Sequence, residues 1–183
     1  MHSSFTFDGA FSDEECDRII VQANADALSD AGLVRGASDH NYRRADIAWL
    51  DEREGAEWVM DRIIQVVAET NRNRFDFDLR EFAESAQVAR YGAEREGHFT
   101  WHSDIGDGPV ARKRKLTIVV QLSSPDSYQG GVLELQPDSH VREASRQRGS
   151  ATIFPAFVLH RVTPVTAGER YSLTVWAHGP AFR

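Results

Sequence analysis

The sequence predicts a mainly β fold with flanking helices (α+β), and three observations carry that expectation. Apolar residues recur at helical spacing in the first third of the chain, change to a spacing of two from Phe82 onward, and give two of the later strands one wholly apolar face. No repeat, low-complexity tract or Pro/Ser-rich linker breaks the 183 residues, so one domain is expected over 1–183, with helical support over about 1–80 and a β core over about 81–180. A chain of this size buries roughly 70% of its unfolded surface, enough for a core without metal-driven folding.

In chain order, Ser12-Asp13-Glu14-Glu15 reads as a capping box, with the Ser12 hydroxyl covering the first amides and Glu15 reaching back to the cap. Cys16, Ile19, Ile20, Ala23 and Ala27 then share one helical stripe, and Phe11 is placed as its hydrophobic staple. A second helix fits 54–71, where Val59, Ile63, Val66 and Val67 share a face and acidic residues crowd the N-terminal end, as the helix dipole favours. Strands follow at 83–91, 115–122, 131–136, 150–158 and 170–177, the pattern of a barrel or sandwich. Leu116, Ile118, Val120 and Leu122 oppose Thr117, Val119 and Gln121; Tyr171, Leu173 and Val175 oppose Arg170, Ser172, Thr174 and Trp176. The helices need an apolar surface to rest on, so the polar-bearing faces are expected to line a cavity.

A net charge of −7 repels phosphate backbones, so nucleic acid is not an expected partner. Arg112-Lys113-Arg114-Lys115 is a local exception that reads as a solvated loop. The lone Cys16 excludes an internal disulfide and Cys-rich zinc or iron–sulfur sites, which suits a reducing cytoplasm. The N-terminus lacks a signal-peptide pattern and no run of about 18 apolar residues occurs, so no membrane partner is expected.

The chemistry concentrates in His102-Ser103-Asp104, the distant His160, and Arg170-Tyr171-Ser172. One His-x-Asp match carries little weight in a chain with seven histidines, but here it stands where a strand opens into a turn, so both side chains point the same way. His160 ends the apolar run from Ile153 to Leu159 and is the candidate third ligand. Two imidazoles and one carboxylate, without thiolates, suit a non-haem Fe(II) and leave three coordination positions open. Competing pairings are weaker. His98 and His102 are four apart, as in a zinc-protease helix, but no Glu lies between them. Asp138-Ser139-His140 reads as a surface loop, and His2, His40 and His178 have no evident partners. No Gly-x-Ser-x-Gly elbow points to a hydrolase. On an inward face Arg170 needs an anion, and its planar fork matches a carboxylate. With Ser172 it could hold the tail of a dicarboxylate whose 2-keto acid head chelates the metal.

The ordered series Tyr91-Gly92, Gly97-His98-Phe99, His102-Ser103-Asp104, Tyr128-Gln129-Gly130-Gly131, Leu159-His160-Arg161-Val162 and Gly168-Glu169-Arg170-Tyr171-Ser172 resembles the Fe(II)/2-oxoglutarate dioxygenases, prolyl-hydroxylase-like branch. That resemblance, over Ala83 to Pro180, implies a double-stranded β-helix (jelly-roll) core packed against the N-terminal helices. It implies that His102, Asp104 and His160 bind iron, that Arg170 grips 2-oxoglutarate, and that Tyr91 and Ser172 add hydrogen bonds. Gln121 stands where some relatives place a tyrosine that touches the cosubstrate, and Phe99 replaces a frequent tyrosine. Arg44-Ala45-Asp46 and Trp49 resemble a segment bordering the substrate entrance, and Trp176 on the inward face is a further substrate-facing candidate.

The implied activity couples oxidative decarboxylation of 2-oxoglutarate to hydroxylation of an unactivated C–H bond, using dioxygen, with ascorbate as a candidate reductant. The expected substrate is a prolyl or similar residue in a peptide or protein. The alternatives are a free amino acid or other small metabolite, and, in a different class, a non-catalytic jelly-roll binding module.

Overall fold

A computed structural model of the chain describes residues 3–25, 42–50 and 54–183, together with the backbone of 29–30, 33–34 and 37–38. Ala27 and His40 lie outside the described residues, as does much of the loop before Tyr42. The elements run β1 (Phe5–Phe7), α1 (Asp13–Ala23), β2 (Ser29–Asp30), β3 (Leu33–Val34), β4 (Ala37–Ser38), β5 (Arg43–Arg44), β6 (Asp46–Trp49) and α2 (Glu57–Thr70). They continue with β7 (Gln87–Gly92), β8 (His98–His102), β9 (Arg114–Gln121), β10 (Tyr128–Gly130), β11 (Leu133–Gln136), β12 (Arg142–Glu143), β13 (Ala151–Pro155), β14 (Leu159–Val162) and β15 (Val165–His178).

Two sheets face each other. The larger is ordered β1-β13-β9-β15-β7-β6-β2, with β10 also paired to β15, and the smaller is β12-β11-β14-β8-β5. Every described pairing is antiparallel. The expected mainly β fold with flanking helices is observed. The expected helical support before residue 81 is only partly helical, because β1, β5 and β6 also come from it and extend both sheets. These short strands alternate too briefly to stand out in the sequence.

The capping box of α1 forms as expected. The Glu15 amide donates to Ser12 Oγ at 3.2 Å and the Ser12 amide to a Glu15 carboxylate oxygen at 3.1 Å. Cys16, Ile19 and Ala23 then face inward with Val59, Ile63, Val66 and Val67 of α2. They pack on Leu116, Ile118, Val120, Leu173 and Val175, so the helices cover the outer face of the larger sheet. Each such aliphatic side chain contributes about 1.5–3 kcal/mol by leaving water. Burial pushes the Cys16 thiol up to about 11, which makes it an inert packing residue. A second apolar cluster lies between the sheets, where Tyr91, Val119 and Phe154 meet Leu133, Leu135 and Val162.

The inter-sheet space therefore receives Thr117, Val119 and Gln121 from β9 and Arg170, Ser172, Thr174 and Trp176 from β15, as alternation requires. The smaller sheet contributes an irregularity. His160 pairs with His102 and Val162 with Phe99, so one residue of β14, Arg161, opposes two of β8, Thr100 and Trp101. That bulge places Phe99 and His102, three apart, on the same inner face, where regular alternation would separate them.

The basic run divides. Arg112 and Lys113 are exposed, but Arg114 is partly covered and Lys115 is buried, with its ammonium 3.6 Å from the Phe182 ring centroid. A solvated loop describes only its first half.

Candidate active site

The inner faces enclose a cavity of about 430 Å³ containing His102, Asp104, His160, Arg170 and Ser172. His102 and His160 face each other across the β8–β14 ladder, with ring centroids 4.1 Å apart. Asp104 reaches them from the turn after β8, held there by its amide, which donates to the Ala156 carbonyl at 2.9 Å. Its carboxylate lies 3.4 Å from His102 Nε2 and 3.6 Å from His160 Nε2. One donor atom from each residue falls within 4.8 Å of the others.

Hydrogen bonding sets which atoms face the centre. His102 Nδ1 lies 2.7 Å from the Thr100 carbonyl and His160 Nδ1 lies 3.0 Å from that of Val158. A carbonyl only accepts, so each Nδ1 carries the proton and each Nε2 presents a lone pair inward. Burial lowers the His160 pKa and keeps the ring neutral, as a metal ligand must be. Burial works against the Asp104 charge, but the adjacent imidazoles and the Trp176 indole outweigh it, and the carboxyl stays well below the usual range. Its Oδ2 accepts from Thr117 Oγ1 at 2.7 Å and from Trp176 Nε1 at 3.0 Å. Thr117 and Trp176 are cross-strand partners, so the larger sheet aims this carboxylate from one point.

Trp176 thus lines the cavity with its indole committed to Asp104, a positioning role that the sequence reading of it as substrate-facing lacked. Thr117 went unselected as a site residue, although its place opposite Trp176 on an inward face was legible. Trp176→Phe keeps the ring and deletes the donor. Retention of ferrous iron through gel filtration is expected to weaken by about 10- to 100-fold.

Behind this shell lies a partly buried ion network. Arg114 donates to Glu84 at 2.5 and 2.6 Å and to the Asp104 carbonyl at 3.0 Å, while its guanidinium stands 4.1 Å from the Trp176 ring centroid. His178, with no evident partner in the sequence, is fully buried and has one. Its Nδ1 accepts from the Ala83 amide, so its Nε2 donates to Glu84 at 2.8 Å. Burial would raise the Glu84 pKa, but Arg114 and His178 outweigh it and the pKa is lowered. A depressed carboxylate contributes stability above its unfolded pKa and loses it as pH falls through the folded value. Glu84→Gln is therefore expected to flatten the acid limb of stability against pH, and to lower neutral-pH stability by about 2–3 kcal/mol in urea unfolding.

Arg170 lies at the other end of the cavity and is 1% exposed. Its Nε donates to Gln121 Oε1 at 3.2 Å, and both terminal nitrogens are buried with no hydrogen-bond partner among the described residues. Burial pushes the guanidinium down, with the nearby Tyr91 and Tyr128 phenols opposing. Gln121 thus accepts from Arg170 through its amide oxygen. Tyr91 is the cross-strand partner of Arg170, and its ring centroid is 5.4 Å from the guanidinium carbon. Gly131, at φ +59°, backs the arginine: a Cβ there would stand 3.1 Å from Arg170 Cδ and 2.8 Å from Val165 Cγ2.

Of the entrance segment, Trp49 lines the cavity, whereas Arg44 and Asp46 do not. Arg44 bonds the Arg95 carbonyl and pairs with Glu96, and Asp46 pairs with Arg90 and Arg95. Alternation along β5 turns Arg43 inward in place of Arg44. Among the rival histidines, His98 stands on a strand with Nδ1 on the Glu96 carbonyl, which removes the helical zinc pair, and the Asp138–His140 segment is exposed.

Two facing antiparallel sheets around a two-imidazole, one-carboxylate cluster define the class of non-haem iron oxygenases with a double-stranded β-helix. The chain belongs to the 2OG-Fe(II) oxygenase superfamily, whose profile matches residues 86–178. It is 39% identical over 72 residues to a PKHD-type hydroxylase of Hyphomonas neptunium, a stretch covering 39% of this chain and 32% of that protein. The match thus spans about a third of that relative's length. In fold it is similar to a prolyl-4-hydroxylase of Pseudomonas putida, with a TM-score of 0.76, 21% identity, and coverage of 99% of this chain and 95% of that one. It is likewise similar to a Trichoplax adhaerens prolyl hydroxylase solved with a hypoxia inducible factor peptide, with a TM-score of 0.79, 18% identity, and coverage of 96% and 83%.

Fe(II) and 2-oxoglutarate are the cofactors of this family, and the residues fit both. The donor set matches the metal, and the two orphaned nitrogens of Arg170 match a carboxylate.

Proposed function

We propose that this chain is a single-domain hydroxylase in which His102, Asp104 and His160 hold iron and Arg170 holds 2-oxoglutarate. The carrying observation is a buried guanidinium with two unpartnered nitrogens in the same cavity as the triad. When bound, iron and the cosubstrate supply dioxygen activation: substrate C–H, 2-oxoglutarate and O₂ become C–OH, succinate and CO₂. The chain supplies position and dryness. The two Nδ1 protons fix the imidazoles, Thr117 and Trp176 occupy one oxygen of Asp104 and leave the other for the metal, and Gln121 occupies Nε of Arg170 so that its remaining fork faces the ligand. Tyr91 and Ser172 stand beside that fork on the cavity wall, and Val119, Leu133 and Val162 keep it apolar.

The substrate we propose is a prolyl or similar residue of a peptide or protein, in keeping with the peptide carried by the Trichoplax adhaerens neighbour. A reducing cytoplasm suits the buried free Cys16, and no described helix is long and apolar enough to cross a membrane. Under argon, Fe(II) with 2-oxoglutarate should give a weak visible charge-transfer band, and in air the same mixture should form succinate. A protein with neither property is a jelly-roll binding module instead.

A further inference from the structure

Three arginines line the cavity, and two of them have no acidic partner among the described residues. Arg114 has Glu84. Arg170 has the cosubstrate seat just described. Arg43 donates to the neutral Gln87 Oε1 at 2.8 Å, and among the described residues its buried Nε has no partner and no carboxylate pairs with it. Other arginines close by, Arg44, Arg90 and Arg95, all have acids. A cation held this way in a confined space is costly until an anion meets it.

Its position separates it from the cosubstrate seat. Gln87 and Tyr91 stand on the same face of β7, four residues and roughly 13 Å apart, with Tyr91 beside Arg170 and Gln87 beside Arg43. The triad lies within the same cavity. The Arg43 guanidinium carbon is 4.6 Å from the Phe99 ring centroid, and Phe99 stacks on His102 at 3.6 Å. Tyr42 and Trp49 complete an aromatic wall on this side.

We propose that Arg43 is a second carboxylate seat and determines substrate specificity: the molecule hydroxylated here carries a carboxylate, which Arg43 grips while an apolar body lies along Tyr42, Trp49 and Phe99. This rests on the iron and 2-oxoglutarate reading above. The carboxylate comes from one of two sources, the α-carboxylate of a free amino acid or an acidic side chain of a peptide.

The iron-loaded enzyme with 2-oxoglutarate under argon is titrated with two matched panels, and perturbation of the visible band reports binding. One panel sets free L-amino acids against their α-carboxamides; the other sets pentapeptides with Asp or Glu beside proline against their Asn or Gln counterparts. In air, a mass gain of one oxygen marks the members turned over. In one panel the acids should bind and the amides should bind roughly tenfold or more weakly, which also identifies the source. Arg43→Gln should raise the apparent Kd and KM of those acids by about 10- to 100-fold and erase the acid-over-amide preference, and Arg43→Lys should retain part of it. Absence of the band in wild type refutes the iron and cosubstrate reading itself. With the band present, equal binding of acids and amides, no binding of any acid, or an unaltered acid preference in a folded Arg43→Gln overturns the proposal, and the wild-type comparison needs no variant.

Discussion

Replacing either His102 or His160 with Ala is expected to abolish the charge-transfer band and succinate formation together. Among the described residues three protein atoms face the proposed metal, and removing one imidazole leaves an imidazole and a carboxylate that cannot occupy one face of an octahedron. Loss of a hydrogen-bonded supporter alone costs 10- to 100-fold in metal affinity, so loss of a ligand should cost at least about 100-fold. Iron content after gel filtration measures this directly. The two variants should behave alike, because the residues are cross-strand partners with the same carbonyl-fixed tautomer. A His160→Ala protein that retains iron would place the metal elsewhere.

Arg170→Met should separate cosubstrate binding from metal binding. Removing a buried charged partner costs about 2–5 kcal/mol of binding, which is roughly 30-fold to several thousand-fold in the 2-oxoglutarate requirement. Iron retention should stay near wild type, since Arg170 contacts none of the three ligands in the structure. Without ligand, Met fills similar volume and removes a cation with two unsatisfied nitrogens, so the bare protein should melt no lower than wild type. Wild type should gain about 2.7 kcal/mol at a hundredfold excess of 2-oxoglutarate over Kd, and Arg170→Met should lose that gain. An unchanged 2-oxoglutarate requirement would refute the assignment.

The parts of this fold that were legible depended on regular alternation. The apolar and polar faces of β9 and β15 could be read by counting in twos, and they sort the helix-covered core from the cavity wall correctly. The triad was legible because His102 and Asp104 are local and His160 ends an apolar run. Legibility failed where geometry departs from counting or depends on partners remote in sequence. The extra residue in β8 puts Phe99 beside His102, and no sequence signal marks it. Arg43 and Arg44 are adjacent arginines, and only the pairing of β5 with β8 decides which one turns inward. His178 looked solitary because Glu84 lies 94 residues away, brought near by the meeting of segment 81–84 with the end of β15. Lys115 read as hydrated because its aromatic cover, Phe77 and Phe182, comes from distant segments.

The guanidinium at the cavity floor has a consequence for the lifetime of the polypeptide. On the proposed reading, its interior reaches electrical balance only when a small metabolite docks, so that metabolite behaves as a detachable piece of the core. A cell rich in 2-oxoglutarate would then keep more of this protein intact and out of reach of proteases, and scarcity would shorten its survival as well as slow its turnover.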